Sequence, residues 1–191
     1  MGKTAAVEEL VKIALADKAF YGEMGGITCS GGECLLQLDF LENFFKLLKA
    51  ENINTAIDTA CNVPRKSFER IMGLTDLFLV DIKCISRELH KEFTGVDNKV
   101  ILENIRFLSD RNSRIWVRVP VVRECNGNKS EMKKIADFVN SINAERVELL
   151  PYHTLGVNKA RAAGYAAEKF AKIDQQEIED FYKLFRKDLI K

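Results

Sequence analysis

Charge of one sign is what this sequence most lacks. Its 29 Lys and Arg residues nearly cancel 28 Asp and Glu, leaving a formal net charge of +1. That excludes the electrostatic footprint of a nucleic-acid binder or of a protein held on an acidic membrane. No apolar stretch reaches membrane-spanning length. The first residues, MGKTAAVEELVKIA, have helical spacing with interleaved acids, unlike a secretory signal. Ala6 stands where a myristoylation signal requires Ser or Thr. The five cysteines, Cys29, Cys34, Cys61, Cys84 and Cys125, form no CxxC pair and no zinc-finger spacing. An odd number of irregularly spaced thiols predicts reduced cysteines and a cytoplasmic protein. No linker, low-complexity tract or repeat interrupts the 191 residues, so residues 1–191 read as a single domain.

Two kinds of segment alternate along the chain. Short apolar runs read as buried strands: GITCS (26–30), NTAID (54–58), DLFLVDIK (76–83), RIWVRVPVV (114–122) and RVELLPYH (146–153). Between them lie stretches with helical spacing, at Asp39–Glu51, Pro64–Met72, Val100–Arg111, Ser130–Ile142 and Gln175–Ile190, with a further helix over Thr4–Asp17. Pro64 and Ser130 read as helix-start residues. Strands spaced by helices form βαβ units and a parallel sheet, either doubly wound or part of a (β/α) barrel. In both, ligands sit at the C-terminal ends of the strands.

Each strand end carries polar or permissive residues. The first is followed by Gly31-Gly32-Glu33, where residues without Cβ let backbone approach a ligand. No Gly-Lys-Ser or Gly-Lys-Thr follows, so this is not a P-loop. The second ends in Asp58-Thr59, which could equally cap a turn. The third carries Asp81 and Lys83, spaced to share one face of a strand. Burying both charges is costly, which favours a site over a staple. The fourth sets Arg118 among apolar neighbours, and the fifth ends in Pro151-Tyr152-His153, one of only 2 histidines.

Together, GGITCSGGECLLQ, AIDTAC, LFLVDIKCIS, WVRVPVVRECN and ELLPYHTLGVNKARAAGY resemble the activating enzymes of glycyl radical enzymes. These form the radical S-adenosylmethionine group typified by pyruvate formate-lyase activating enzyme. The resemblance implies an α/β fold, a partial (β/α) barrel of parallel strands, here without its first strand and cluster loop. It implies S-adenosylmethionine as cofactor, and in the intact family a [4Fe–4S] cluster on a CxxxCxxC loop. Gly31, Gly32 and Glu33 would line the methionine amine. Asp58, Thr59 and Asp81 would bind a monovalent cation beside the methionine carboxylate. Ile82 and Lys83 complete the cofactor contacts, His153 would face the adenosine, and Lys83 and Arg118 would be the catalytic polar residues. Reductive cleavage would yield methionine and a 5′-deoxyadenosyl radical, which takes hydrogen from a glycine of a pyruvate formate-lyase-like partner. A flavodoxin- or ferredoxin-type protein would supply the electron.

The sequence departs from the family in two places. Cys34 replaces the usual proline after SGGE, and no three cysteines have the cluster spacing. Fe–S clusters need thiolate ligands, so the chain is expected to be a truncated, cluster-free and inactive barrel. Two other readings stand beside this one. The chain could be a cluster-free docking module, or a barrel lyase using Lys83 as a Schiff-base amine. With its neighbouring strand missing, Gly26–Cys29 becomes a sheet edge, which predicts self-association.

Overall fold

The computed structural model describes residues 3–152 and 170–190. Five strands are present among them: β1 (Gly26–Cys29), β2 (Asn54–Thr59), β3 (Leu77–Asp81), β4 (Ile115–Val121) and β5 (Arg146–Pro151). The helices are α1 (Val7–Ala16), α2 (Leu38–Ala50), α3 (Arg65–Ile71), α4 (Arg87–Thr94), α5 (Lys99–Asp110), α6 (Lys129–Asn140) and α7 (Gln175–Tyr182). The sheet order is β1-β2-β3-β4-β5. Spatial order therefore equals chain order, which is the winding of a barrel rather than of a doubly wound sheet.

The described residues group into two compact units. One comprises Met1–Val80 with Val100–Ile115, the other Asp81–Lys99 with Trp116–Lys191. In the first, β1 pairs with β2 and β2 with β3, all parallel. The alternation of a strand sends Thr55, Ile57 and Thr59 of β2 into the core, with Phe78 and Val80 of β3. α2 covers this core with Phe44, Phe45 and Leu48, and α3 adds Phe68 and Ile71. The second unit contains the parallel pair β4 and β5. There Val117, Val119 and Val121 are fully buried, as are Met132, Ile135 and Val139 of α6.

All five predicted strands form, with ends shifted by a few residues. The largest change is at β3, which stops at Asp81, so Lys83 lies beyond the strand rather than on its face. Pro64 caps α3 from outside, with ψ 138, instead of opening it. α6 starts from Asn128, whose side chain accepts the Glu131 amide, two residues before the predicted Ser130. The predicted helix Gln175–Ile190 ends at Tyr182 and is followed by a separate 3-10 turn, Lys187–Leu189. α4 was not anticipated. It is short and charged and buries only His90, which leaves almost no apolar periodicity to detect.

Candidate functional site

The loop after β1 owes its shape to glycine. Gly31 and Gly32 have φ values of +95 and +62, a left-handed conformation that side-chain-bearing residues rarely adopt. No atom lies within 4 Å of where a Cβ would sit on either residue, so the backbone here faces open space. Glu33 follows in extended conformation and ends the loop. Its carboxylate accepts the Leu35 amide at 3.3 Å, the Thr59 hydroxyl at 2.8 Å and the Ala60 amide at 3.1 Å. The side chain thus ties the β1 loop to the end of β2. A carboxylate offers about four acceptor positions, so roughly one remains for a ligand amine.

Thr59 is 1% exposed. It donates to Glu33 and accepts the Cys61 amide at 2.9 Å. Asp58, its neighbour on the strand, points to the other face and is half-buried. Cys61 itself has φ 58 and is fully buried, a left-handed conformation that is uncommon without glycine. The turn is held by Asn104 of α5, whose amide donates to the Cys61 and Val63 carbonyls at 2.9 and 2.8 Å.

A cavity of about 390 Å³ reaches Ser30, Gly31 and Cys34 from the side of α1. Its walls are mainly apolar, with Leu10, Ile13, Ile27 and Phe40. Such a lining suits apolar side chains better than a zwitterionic ligand.

In the second unit, Asp81 is held by Arg118 rather than chiefly by Lys83. Arg118 donates to one Asp81 oxygen through Nε at 3.2 Å and Nη2 at 2.9 Å. Lys83 Nζ stands 3.9 Å from the other oxygen. All three side chains keep some exposure, 22% for Asp81 and Arg118 and 39% for Lys83, so the cluster meets solvent. Ile82 is buried and donates its amide to the Arg118 carbonyl at 2.9 Å; its backbone carbonyl is what it has left to offer a cofactor. His153 lies outside the described residues.

Sequence reading missed the residues that hold these strand ends. Asn126 is 1% exposed; its amide donates to the Lys83 and Pro120 carbonyls at 2.7 and 2.8 Å and its oxygen accepts the Val122 amide at 2.8 Å. Asn98 brackets the Cys84 and Ile85 carbonyls at 3.0 and 2.9 Å. Glu131 of α6 accepts the Ile85 and Ser86 amides at 2.6 and 2.7 Å, together with the Ser86 hydroxyl. Nothing in the sequence marks these polar residues as buried. The only cue is that they sit just before or within the helices that follow the strands.

The donor set does not fit a [4Fe–4S] cluster. Burial pushes the Cys29 thiol up to about 11 and the Cys34 thiol up to about 12, so neither is a ready thiolate. Cys84 and Cys125 face each other, and Cys61 is buried in its own turn. Among the described residues no three His, Cys, Asp or Glu side chains are grouped to hold a metal. The open glycine loop and the spare position on Glu33 do fit the amine end of S-adenosylmethionine.

Comparison with known proteins gives a consistent answer. Residues 2–139 match the radical SAM superfamily. The pyruvate formate-lyase-activating enzyme of Streptococcus mutans is 41% identical over 82% of this chain and 62% of its own length. The enzyme of the same name from Staphylococcus epidermidis is 37% identical over 95% of this chain and 76% of its own. The chain therefore spans less than two thirds of the Streptococcus mutans relative and about three quarters of the Staphylococcus epidermidis one. Among solved structures, a domain of pyruvate-formate lyase-activating enzyme from Bacteroides vulgatus superposes with a TM-score of 0.73 at 26% identity. That match covers 87% of this chain and 96% of the domain.

Proposed function

The chain belongs to the radical SAM superfamily and, within it, to the activating enzymes of the pyruvate formate-lyase type; on that premise we propose that it is the S-adenosylmethionine-binding barrel of a glycyl-radical-enzyme activase. The observation that carries the reading is the Gly31-Gly32-Glu33 loop, open at its glycines and anchored to β2 by Glu33. Gly31 and Gly32 offer backbone groups to the methionine end of the cofactor, and Glu33 offers its remaining acceptor position to the amine. Thr59 and Ala60 hold Glu33 in place for that task. Asp58 and Asp81 are proposed as carboxylates serving the cofactor and its cation. Lys83 and Arg118 are proposed as polar site groups, Arg118 orienting the Asp81 carboxylate through its hydrogen bonds. When bound, S-adenosylmethionine supplies the radical chemistry by which such enzymes act on a glycine of a partner; the protein supplies position and shelter.

The cysteines of this chain do not make the cluster that cleavage requires, so the chain by itself is proposed to bind without turning over. No helix among the described residues is long and apolar enough to cross a membrane. The partner is proposed to be a pyruvate formate-lyase-like glycyl radical enzyme. In the intact activase a flavodoxin- or ferredoxin-type protein would serve as reductant. Titrating the purified chain against pyruvate formate-lyase tests the reading. Saturable binding is expected, with no glycyl radical signal in electron paramagnetic resonance. Absence of any binding would remove pyruvate formate-lyase as the partner.

The free edge of β1 is proposed to take a second copy of the chain. β1 is the terminal strand of the sheet order, and exposed edges template further pairing. The apolar cavity beside it and the exposed Ile13, Phe20 and Met24, at 57%, 86% and 82%, would be covered in such a dimer. Sedimentation is expected to show concentration-dependent association, reduced in Ile27→Lys. A strict monomer at high concentration would contradict it.

A further inference from the structure

Two buried thiols play no part in the proposed function. Cys84 follows β3 directly after Lys83, and Cys125 lies in the turn after β4; they are 1% and 6% exposed. Their Sγ atoms stand 3.0 Å apart, about 1 Å beyond a covalent S–S bond. Both backbones are pinned where they stand. Asn98 holds the Cys84 carbonyl at 3.0 Å, and Glu131 holds the adjoining Ile85 amide at 2.6 Å. The Cys125 amide donates to the Val122 carbonyl at 3.0 Å, and Asn128 donates to the Cys125 carbonyl at 3.3 Å. The pair is therefore fixed in proximity rather than meeting by chance.

We propose that Cys84 and Cys125 are a peroxide-sensitive pair that closes a reversible disulfide between the loop after β3 and the turn after β4. The two thiols differ in role. Either sulfur can donate the hydrogen bond that joins them, and Cys125, 6% exposed against 1% for Cys84, is the one peroxide reaches first. Cys125 is accordingly the nucleophile. Its thiolate attacks one oxygen of hydrogen peroxide, the O–O bond breaks, and Cys125 becomes a sulfenic acid as hydroxide leaves. The Cys84 sulfur then attacks the sulfenic sulfur. The S–S bond forms, and the expelled hydroxide takes the Cys84 proton as water. Overall, two thiols and one peroxide give one disulfide and two waters; sulfur is oxidised and peroxide oxygen reduced.

The bridge would clamp the backbone directly after Lys83, whose carbonyl already receives the Asn126 amide at 2.7 Å. Oxidation therefore acts on the strand end that carries Asp81 and Lys83, whether or not the activase reading holds. The test uses the full chain, treated with hydrogen peroxide, alkylated and digested with trypsin without reduction. The expected product is the linked peptide pair 84–87 and 124–129, released by dithiothreitol. The melting temperature should rise by roughly 5–10 °C on oxidation, because the bridge closes a loop of about 40 residues. In Cys84→Ala, Cys125 should be trapped by dimedone, while in Cys125→Ala no label should appear on Cys84. The proposal is overturned if Cys29 and Cys34 oxidise while Cys84 and Cys125 remain alkylatable, or if the bridge forms only in unfolded chain.

Discussion

Anaerobic treatment with iron and sulfide is expected to leave this chain without a stable [4Fe–4S] cluster, and with dithionite present it should release no 5′-deoxyadenosine. The expectation rests on the positions of the thiols, all five of which are described. A cluster of this kind needs thiolates that converge on adjacent irons. Cys29 and Cys34 approach one another, with the Cys34 thiol 3.5 Å from the Cys29 carbonyl, but both are held protonated by burial. The nearest further thiol in their unit, Cys61, is fully buried in a turn that Asn104 fixes. Cys84 and Cys125 bond to each other and supply no third ligand. Reconstituting them around iron would require unmaking the bracket of Asn98, Asn126 and Glu131. Stoichiometric iron and sulfide with the visible absorption of a cluster, accompanied by deoxyadenosine, would show that this account of the cysteines is wrong.

Replacing Glu131 by alanine should destabilise the fold by roughly 2–4 kcal/mol, through the hydrogen bonds it accepts rather than its ion pair, since Lys134 is 50% exposed. Glu131 is 3% exposed. Its loss strands the half-buried Ile85 and Ser86 amides, where an unsatisfied donor costs up to roughly 1–3 kcal/mol, and frees Lys134, now 3.2 Å away. The same network predicts a pH dependence. Burial alone would raise the Glu131 carboxyl, but the hydrogen bonds from Ser86, Ile85 and Lys134 outweigh it and hold the group below its usual range. A carboxyl depressed in the folded state contributes stability that is present above its unfolded value, about 4.3. That contribution fades as pH falls through the folded value. Urea denaturation of the wild-type chain should therefore weaken below about pH 4.3, and Glu131→Gln should lose less over the same range because its amide does not titrate there. Equal slopes for the two proteins would assign the acid sensitivity elsewhere.

Much of this architecture is legible in the sequence, for a plain physical reason. Strands buried in a parallel sheet must be nearly continuous apolar runs, and RIWVRVPVV and DLFLVDIK are such runs. α2 and α6 announce themselves by buried stripes of Phe, Leu, Met and Ile. α4 escaped because it buries a single histidine, although Gly95 in left-handed conformation marks its end. The C-terminal helix was overdrawn because FYKLFRKDLI keeps helical spacing beyond Tyr182, where the chain turns.

The site was legible in composition but not in pairing. Gly31, Gly32, Glu33 and Asp81 were identifiable as strand-end residues, and Arg118 as a charged residue inside the fourth run, where the structure places it mid-strand. That Glu33 reaches Thr59, and that Arg118 rather than Lys83 is the main partner of Asp81, depends on strand register that one-dimensional spacing does not carry. The asparagines behind the loops gave no signal, because a buried amide and an exposed one look the same in a sequence. The departure at Cys34 is readable from both sides. The thiol takes the place of a rigid proline, yet the loop still forms, since Glu33 and the two glycines define it.

The central claim is that the loop after β1 is a binding site for S-adenosylmethionine, and calorimetric titration of the intact chain tests it most directly. The groups available are a few hydrogen bonds worth roughly 0.5–1.5 kcal/mol each, or up to about 3 when charged. With no iron to anchor the methionine end, the dissociation constant is expected between high micromolar and about 1 mM, the latter equivalent to about −4.1 kcal/mol. Gly32→Val, which forces a β-branched residue to the φ of +62 that Gly32 adopts, should weaken binding at least several-fold, with the melting temperature recorded alongside to exclude unfolding. Saturable heat in that range, lost in a folded Gly32→Val variant, is the predicted result. Nanomolar affinity, or binding indifferent to Gly32, would contradict it.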